Sequence, residues 1–229
     1  MKKVQPKAIY EPQTVRLLVD TMEQESLMHA ALFGPVGYER GARAGEPGLL
    51  LREHVDLRLG VLRMPREKGG LTDEPWPMSE RGRGIMARYL ASRHHEPPAV
   101  AKYLFPGSRS RVCGICHGRG RITRGIGPTR TVTVCYACRG EKRTFGISRQ
   151  QVYRIFRGYA ERLGLPHRHP HVLRHSIVTH LLDAGMDPEA VRRVVGHVRL
   201  ATTLDYKGLA ASSRAEAERI LRGILGGKP

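Results

Sequence analysis

All four cysteines of this 229-residue chain lie in one short stretch, as Cys113-x-x-Cys116 and Cys135-x-x-Cys138 with 18 residues between the pairs. Two close pairs at that separation have the spacing of a single tetrahedral four-thiolate zinc site. Gly118, Gly120 and Gly140 follow the pairs closely, where backbone must turn sharply around a metal. His117 sits beside them, but four thiolates already fill a tetrahedral shell. The alternative is two disulfides, which a reducing compartment disfavours. The surrounding segment, 109–144, is too short and too polar to bury a core of its own, so a metal has to hold it together.

The rest of the chain is ordinary in composition and unusual in charge. Hydrophobic residues make up 40%, enough for one good core or two small ones. No apolar run is long enough to span a membrane, and the Met1-Lys-Lys start lacks a secretory signal, so a cytoplasmic, membrane-free location is expected. Thirty-nine Lys and Arg against 21 Asp and Glu leave +18, spread along the chain rather than piled in a tail. Four thiolates and one Zn²⁺ together add −2, so the basic character survives at about +16. Such a charge fits a nucleic-acid partner, although membrane-surface proteins can share it.

Apolar side chains near helical spacing at Val15, Leu17, Leu18, Met22, Leu27, Ala30, Ala31 and Phe33 predict one or two helices over 12–33, ended by Gly34-Pro35. Val55, Leu57, Leu59 and Val61 alternate as on one side of a strand running to Met64, broken at Lys68-Gly69-Gly70. Trp76 beside that sheet reads as core. Residues 80–95 predict a helix closed by Pro97-Pro98, with His94-His95 on its solvated surface. Ser148 and Gln151 form a capping box for a helix whose core stripe is Val152, Ile155, Phe156, Tyr159 and Leu163, and Tyr153 and Tyr159 are both read as structural. Asp187-Pro188 opens a helix bearing Val191, Val194 and Val195. Ser213 and Glu216 cap a last helix with an apolar stripe from Ala217 to Leu225.

The chemistry concentrates in His171-Val-Leu-Arg174-His175, Gly196-His197 and Tyr206. An arginine grips two phosphate oxygens, histidines move protons, and a phenol can become a nucleophile. His171 and Arg174 are three apart, so one helical turn presents both to the same site. The Asp187 helix delivers His197.

From Pro170 to Leu209 the chain resembles the tyrosine recombinase (phage integrase) family: His-x-x-Arg, Gly-His on a later helix, and a tyrosine nine residues beyond that histidine, as from His197 to Tyr206. Gly41-x-Arg43-x-x-Glu46 resembles the family's first motif, and Lys68 matches the lysine near a β-hairpin tip. Arg40 and Arg66 are the neighbouring candidates for these two roles. Pro47-Gly48 departs from the family, which continues a helix there, and the cysteine segment is not a usual family feature. The Cys113–Gly120 run is itself similar to the zinc repeats of J-domain co-chaperones, which implies knuckle geometry only.

The resemblance implies an α+β fold: a mainly helical catalytic domain over 1–229 with a small antiparallel sheet, interrupted by the zinc ribbon or knuckle at 109–144. It implies a DNA strand transferase in which Tyr206 attacks a phosphodiester and forms a 3′-phosphotyrosyl link. Arg43 and Arg174 would clamp the phosphate, Lys68 would act as general acid, His171 would assist the tyrosine proton, and His197 would bond the phosphate. It implies one structural Zn²⁺ on Cys113, Cys116, Cys135 and Cys138, with no catalytic metal and no ATP. Double-stranded DNA is the implied partner, with self-assembly through the 213–225 helix, which otherwise packs on its own domain. Members usually carry an N-terminal DNA-clamping domain, which is not expected here because Met1 begins almost directly at the catalytic domain. A silent DNA-binding regulator of the same fold and a type IB topoisomerase are the alternative readings.

Overall fold

The computed structural model describes residues 8–65, 75–124, 130–197 and 203. Helix α1 (Pro12–Glu25) buries Val15, Leu18, Val19 and Met22, and α2 (Leu27–Ala31) follows after Ser26, whose hydroxyl accepts the His29 N–H. The helical path does not stop at Gly34-Pro35, as expected from sequence. It widens into a π-helical segment, Leu32–Glu39, that buries all eight residues. Burial against α6 and α3 outweighs the proline, which lies inside the widened segment.

The predicted strand from Val55 to Met64 is also corrected. It is two strands, β1 (Val55–Asp56) and β2 (Val61–Arg63), joined by a tight turn. Asp56 accepts the Leu59 N–H at 2.9 Å, and Gly60 supplies a φ of +64°, so the alternation at Leu57 and Leu59 belongs to a turn. Strand β3 (Pro75–Pro77) pairs antiparallel with β2, giving a three-stranded sheet in the order β1-β2-β3. Residue 68 lies in the connection between the paired ends Arg63 and Pro75, outside the described residues.

Helix α3 (Glu80–Ala91) is shorter than the expected 80–95, and α4 (Pro98–Ala101) starts at the second proline. His94 and His95 lie exposed between them, as read from sequence. Strands β4 (Pro106–Val112) and β7 (Arg143–Gly146) pair into a stem, and β5 (Arg121–Arg124) pairs with β6 (Thr131–Val134) in a second ribbon. The cysteines follow β4 and β6, and form a buried cluster separate from the main core. The Arg111 guanidinium braces the stem by donating to the Gly146 and Ile147 carbonyls. The stem docks on the body where β7 meets the Glu46–Leu49 turn and Leu49 packs against the cysteine cluster.

Helix α5 (Arg149–Arg162) opens with the expected reciprocal cap, Gln151 N to Ser148 Oγ and Ser148 N to Gln151 Oε1. Helix α6 (His171–Asp183) is buried nearly all round, and α7 (Pro188–Val195) is capped by the Asp187 carboxylate and ended by Gly196 at φ +67°.

Candidate functional site

Arg174 sits one turn into α6, only 2% exposed, and its Nη1 donates to the Gly41 carbonyl at 2.5 Å and the Val195 carbonyl at 2.6 Å. One guanidinium thus ties the 41–46 turn to the end of α7. Gly41 makes the approach feasible: at φ +54°, a Cβ there would stand 2.8 Å from Val195 Cγ1. Arg43 crosses the same junction, with Nη2 reaching the Gly196 carbonyl at 3.3 Å. Glu46 is fully buried and accepts from both the Arg43 backbone N–H and Nη1, each at 2.8 Å. Pro47 and Gly48 do not continue a helix. They form a 3-10 turn, Glu46–Leu49, in which the proline occupies an early position that needs no N–H.

The neighbouring candidate Arg40 is buried elsewhere, its guanidinium 6.0 Å from the Trp76 ring centroid, and Trp76 is core as expected. Arg43 instead lines an open cleft of about 610 Å³ together with Ala44, Gly45, Arg149, Tyr153, His169 and His171. His171, at the N-terminus of α6, has its pKa pushed down to about 4, first by lost hydration and then by the charges of Arg174, His169 and Arg43. One side of the residue stays open to solvent. The cations and the helix terminus act on it regardless, and all oppose a positive imidazole. His171 is therefore neutral at pH 7 and able to accept a proton. His197 follows the Gly196 stop, 5% exposed, with Nδ1 2.9 Å from Thr203 Oγ1 and its carbonyl held by Arg192 at 3.0 Å. Lys68 and Tyr206 lie outside the described residues.

The sequence reading missed part of the cleft. Tyr159 is core, 5% exposed and bonded to His29, but Tyr153 is a wall of the cleft, with the Arg149 guanidinium 5.6 Å from its ring centroid. The signal was available: Tyr153 stands about 100° round the helix from the Val152 stripe. His169 carried no such signal, because only the turn before α6 brings it to the cleft.

The sequence matches the phage integrase family over residues 8–212. This chain belongs to that family. A tyrosine recombinase XerC from Pelotomaculum thermopropionicum is 43% identical over 209 residues, covering 90% of this chain and 58% of that protein. The fold matches the crystal structure of XerA recombinase with a TM-score of 0.63 at 21% identity, over 96% of this chain and 65% of that one. It matches the Tn1549 transposon integrase in complex with transposon right-end DNA with a TM-score of 0.58 at 19% identity, over 95% of this chain and 67% of that one. This chain therefore spans less than two thirds of the length of the XerC and XerA proteins it matches.

The integrase-family domain also carries a second site. The Sγ atoms of Cys113, Cys116, Cys135 and Cys138 all lie within 4.8 Å of one another, buried. Cys113 and Cys135 are 3.8 Å apart and Cys116 and Cys138 3.7 Å, far beyond a disulfide bond of about 2.05 Å. The two knuckles repeat one backbone pattern. Positive φ recurs one, two and four residues after the second cysteine, at His117, Gly118, Gly120 and at Arg139, Gly140, Lys142. The repeat is cross-linked, Cys113 N–H to the Lys142 carbonyl and Cys135 N–H to the Gly120 carbonyl, both 2.9 Å. Burial opposes a thiolate at Cys116, but the Gly120 N–H donating at 3.2 Å and the neighbouring thiols prevail, taking its pKa down to about 7. Four close, buried cysteines on such a frame can hold a metal ion. Among the described residues no helix is long and apolar enough to cross a membrane.

Proposed function

We propose that this chain carries the catalytic domain of a site-specific DNA recombinase that cuts and rejoins duplex DNA through a 3′-phosphotyrosyl intermediate. One arrangement carries the reading: Arg43 and Arg174 brace the same two backbone segments, and both press charge on a neutral His171 at an open cleft. Phosphoryl transfer asks mainly for positioning and for positive charge where the pentavalent phosphorus becomes more negative.

Tyr206 Oη attacks the scissile phosphorus while its proton passes to the neutral His171. The bond from phosphorus to the 5′-oxygen breaks, and Lys68 supplies the proton that makes a 5′-hydroxyl. Arg43 and Arg174 neutralise the non-bridging oxygens, and His197 hydrogen-bonds one of them. The phosphotyrosyl ester retains the bond energy, so attack by a 5′-hydroxyl rejoins the strand without ATP or a catalytic metal.

The cysteine cluster holds one structural Zn²⁺. A tetrahedron with Zn–S of about 2.3 Å has S···S edges of about 3.8 Å, which suits the 3.8 and 3.7 Å separations. The DNA-bound state of the Tn1549 integrase favours duplex DNA as the partner. The protein works in the cytoplasm on DNA and self-assembles there, with the apolar 213–225 stripe as the docking segment.

The deciding experiment separates nucleophile from acid. Tyr206→Phe is expected to bind DNA and form no covalent adduct. Lys68→Ala is expected to slow cleavage roughly a hundred- to ten-thousand-fold, and to recover on DNA whose bridging 5′-oxygen is replaced by sulfur, a leaving group that needs no proton. A covalent adduct in Tyr206→Phe, or recovery of both variants on the sulfur substrate, overturns these assignments.

A further inference from the structure

The β5–β6 ribbon stands out from everything the catalytic reading uses. It is a two-stranded antiparallel pair with Arg121 opposite Val134, Ile122 opposite Thr133 and Thr123 opposite Val132. All four residues of β6 are exposed, Val132 and Val134 at 56% and 60%, while Ile122 alone leans on the cysteine cluster. One face therefore presents Arg121, Thr123, Val132 and Val134 to solvent, with exposed Arg119 and Arg130 at the two ends. The sequence is also one-sided in charge: no Asp or Glu occurs between Glu96 and Glu141.

We infer that this ribbon is a second DNA-binding surface that enters a groove of the duplex flanking the cleavage site. The major groove of B-DNA, about 12 Å wide, admits a two-stranded β-ribbon. The chemistry suits it: guanidinium groups for phosphates, the Thr123 hydroxyl for a base edge, and valine methyls for thymine methyls. A protein partner is the competing occupant. The acid-free, arginine-bearing surface favours a polyanion, and a few valines make too small an apolar patch to carry a protein interface alone. The knuckles anchor the base of the ribbon, with Cys135 N–H donating to the Gly120 carbonyl at 2.9 Å and Ile122 packed on the cysteines. This inference rests on the recombinase reading above.

The test compares the full chain with Arg119→Gln/Arg121→Gln/Arg130→Gln on a duplex extending well beyond the cleavage site. Each phosphate that an arginine no longer neutralises flattens the plot of log K against log salt by about 0.9. The triple variant is therefore expected to lower the slope by about 2 to 3 units, while covalent adduct formation at saturating protein persists. Val132→Thr/Val134→Thr, which keeps strand propensity, is expected to leave the slope unchanged and relax sequence preference beside the cleavage site. Bound zinc is measured in each variant to show that the ribbon remains folded. An unchanged slope in the triple variant with adduct formation intact overturns the inference and leaves the recombinase standing. So does loss of self-association in the valine variant with its sequence preference intact, which assigns the face to protein. Failure of the unaltered chain to form any adduct fails the recombinase reading instead.

Discussion

The sharpest structural test is a single methyl group where the cysteine module meets the turn that follows Arg43. Gly146, at the end of β7, faces Gly48 in the turn that holds Glu46. A Cβ on Gly146 would stand 2.8 Å from the Gly48 carbonyl carbon and 3.0 Å from its Cα, and closer still to its oxygen. Non-bonded carbons rest at about 3.5–4.0 Å, so Gly146→Ala overlaps by roughly 0.5–1 Å with backbone that no rotamer change can clear. Overpacking of this kind costs about 1–3 kcal/mol. At this chain length that is a Tm lower by roughly 2–12 °C. Where the turn yields, Glu46 moves with it and carries Arg43 through its two hydrogen bonds. If Arg43 grips the phosphate as proposed, a displacement near 1 Å costs on the order of a hundredfold in rate. The assay pairs thermal unfolding with the rate of covalent adduct formation, measured well below Tm. Gly48→Ala meets the Ile147 carbonyl across the same contact, so the double variant is expected to cost less than the sum of the two. An unchanged Tm refutes the steric argument. A lowered Tm with a normal adduct rate refutes the coupling of the module to Arg43.

Other expectations follow from the same geometry. Gly84 in α3 and Gly158 in α5 have nothing within 4 Å of an added Cβ, so Gly84→Ala and Gly158→Ala are each expected to stabilise by about 0.5–1 kcal/mol; a loss in denaturant unfolding contradicts this. His171 in the free protein is expected to titrate near 4 rather than 6.5 by NMR. The sign is that of a depressed base: the unfolded chain takes up this proton first as pH falls below 6.5. Its contribution to stability is therefore complete above 6.5 and lost on the way to 4. A midpoint at 6.5 refutes the crowding by cations. Elemental analysis is expected to give one zinc per chain, and Cys113→Ser/Cys116→Ser to raise hydrogen exchange across 106–146 while α6 stays protected. Metal-free protein with an ordered ribbon contradicts the zinc assignment.

Much of the site was legible because its chemistry is local. The cysteine pairs, the three-residue step from His171 to Arg174, the Ser148 and Asp187 caps and the Gly196 stop each act within one or two turns of chain. Short-range spacing therefore specifies them almost completely. The turn at Asp56–Gly60 was equally local and was misread, because alternating leucines imitate a strand when the Asp56 carboxylate is overlooked.

The sequence by itself determined the family, the four-cysteine frame and the candidate residues of the site. Tertiary structure decided which arginine of Arg40 and Arg43 reaches the cleft, that Tyr153 is a wall rather than core, and that the π-helical segment runs through Gly34-Pro35. It also decided that the cysteine module leans through Leu49 and Gly146 on the turn carrying Glu46. These are contacts between segments tens to more than a hundred residues apart. Which pair of surfaces meets depends on how all the buried faces pack together, and no local pattern encodes it.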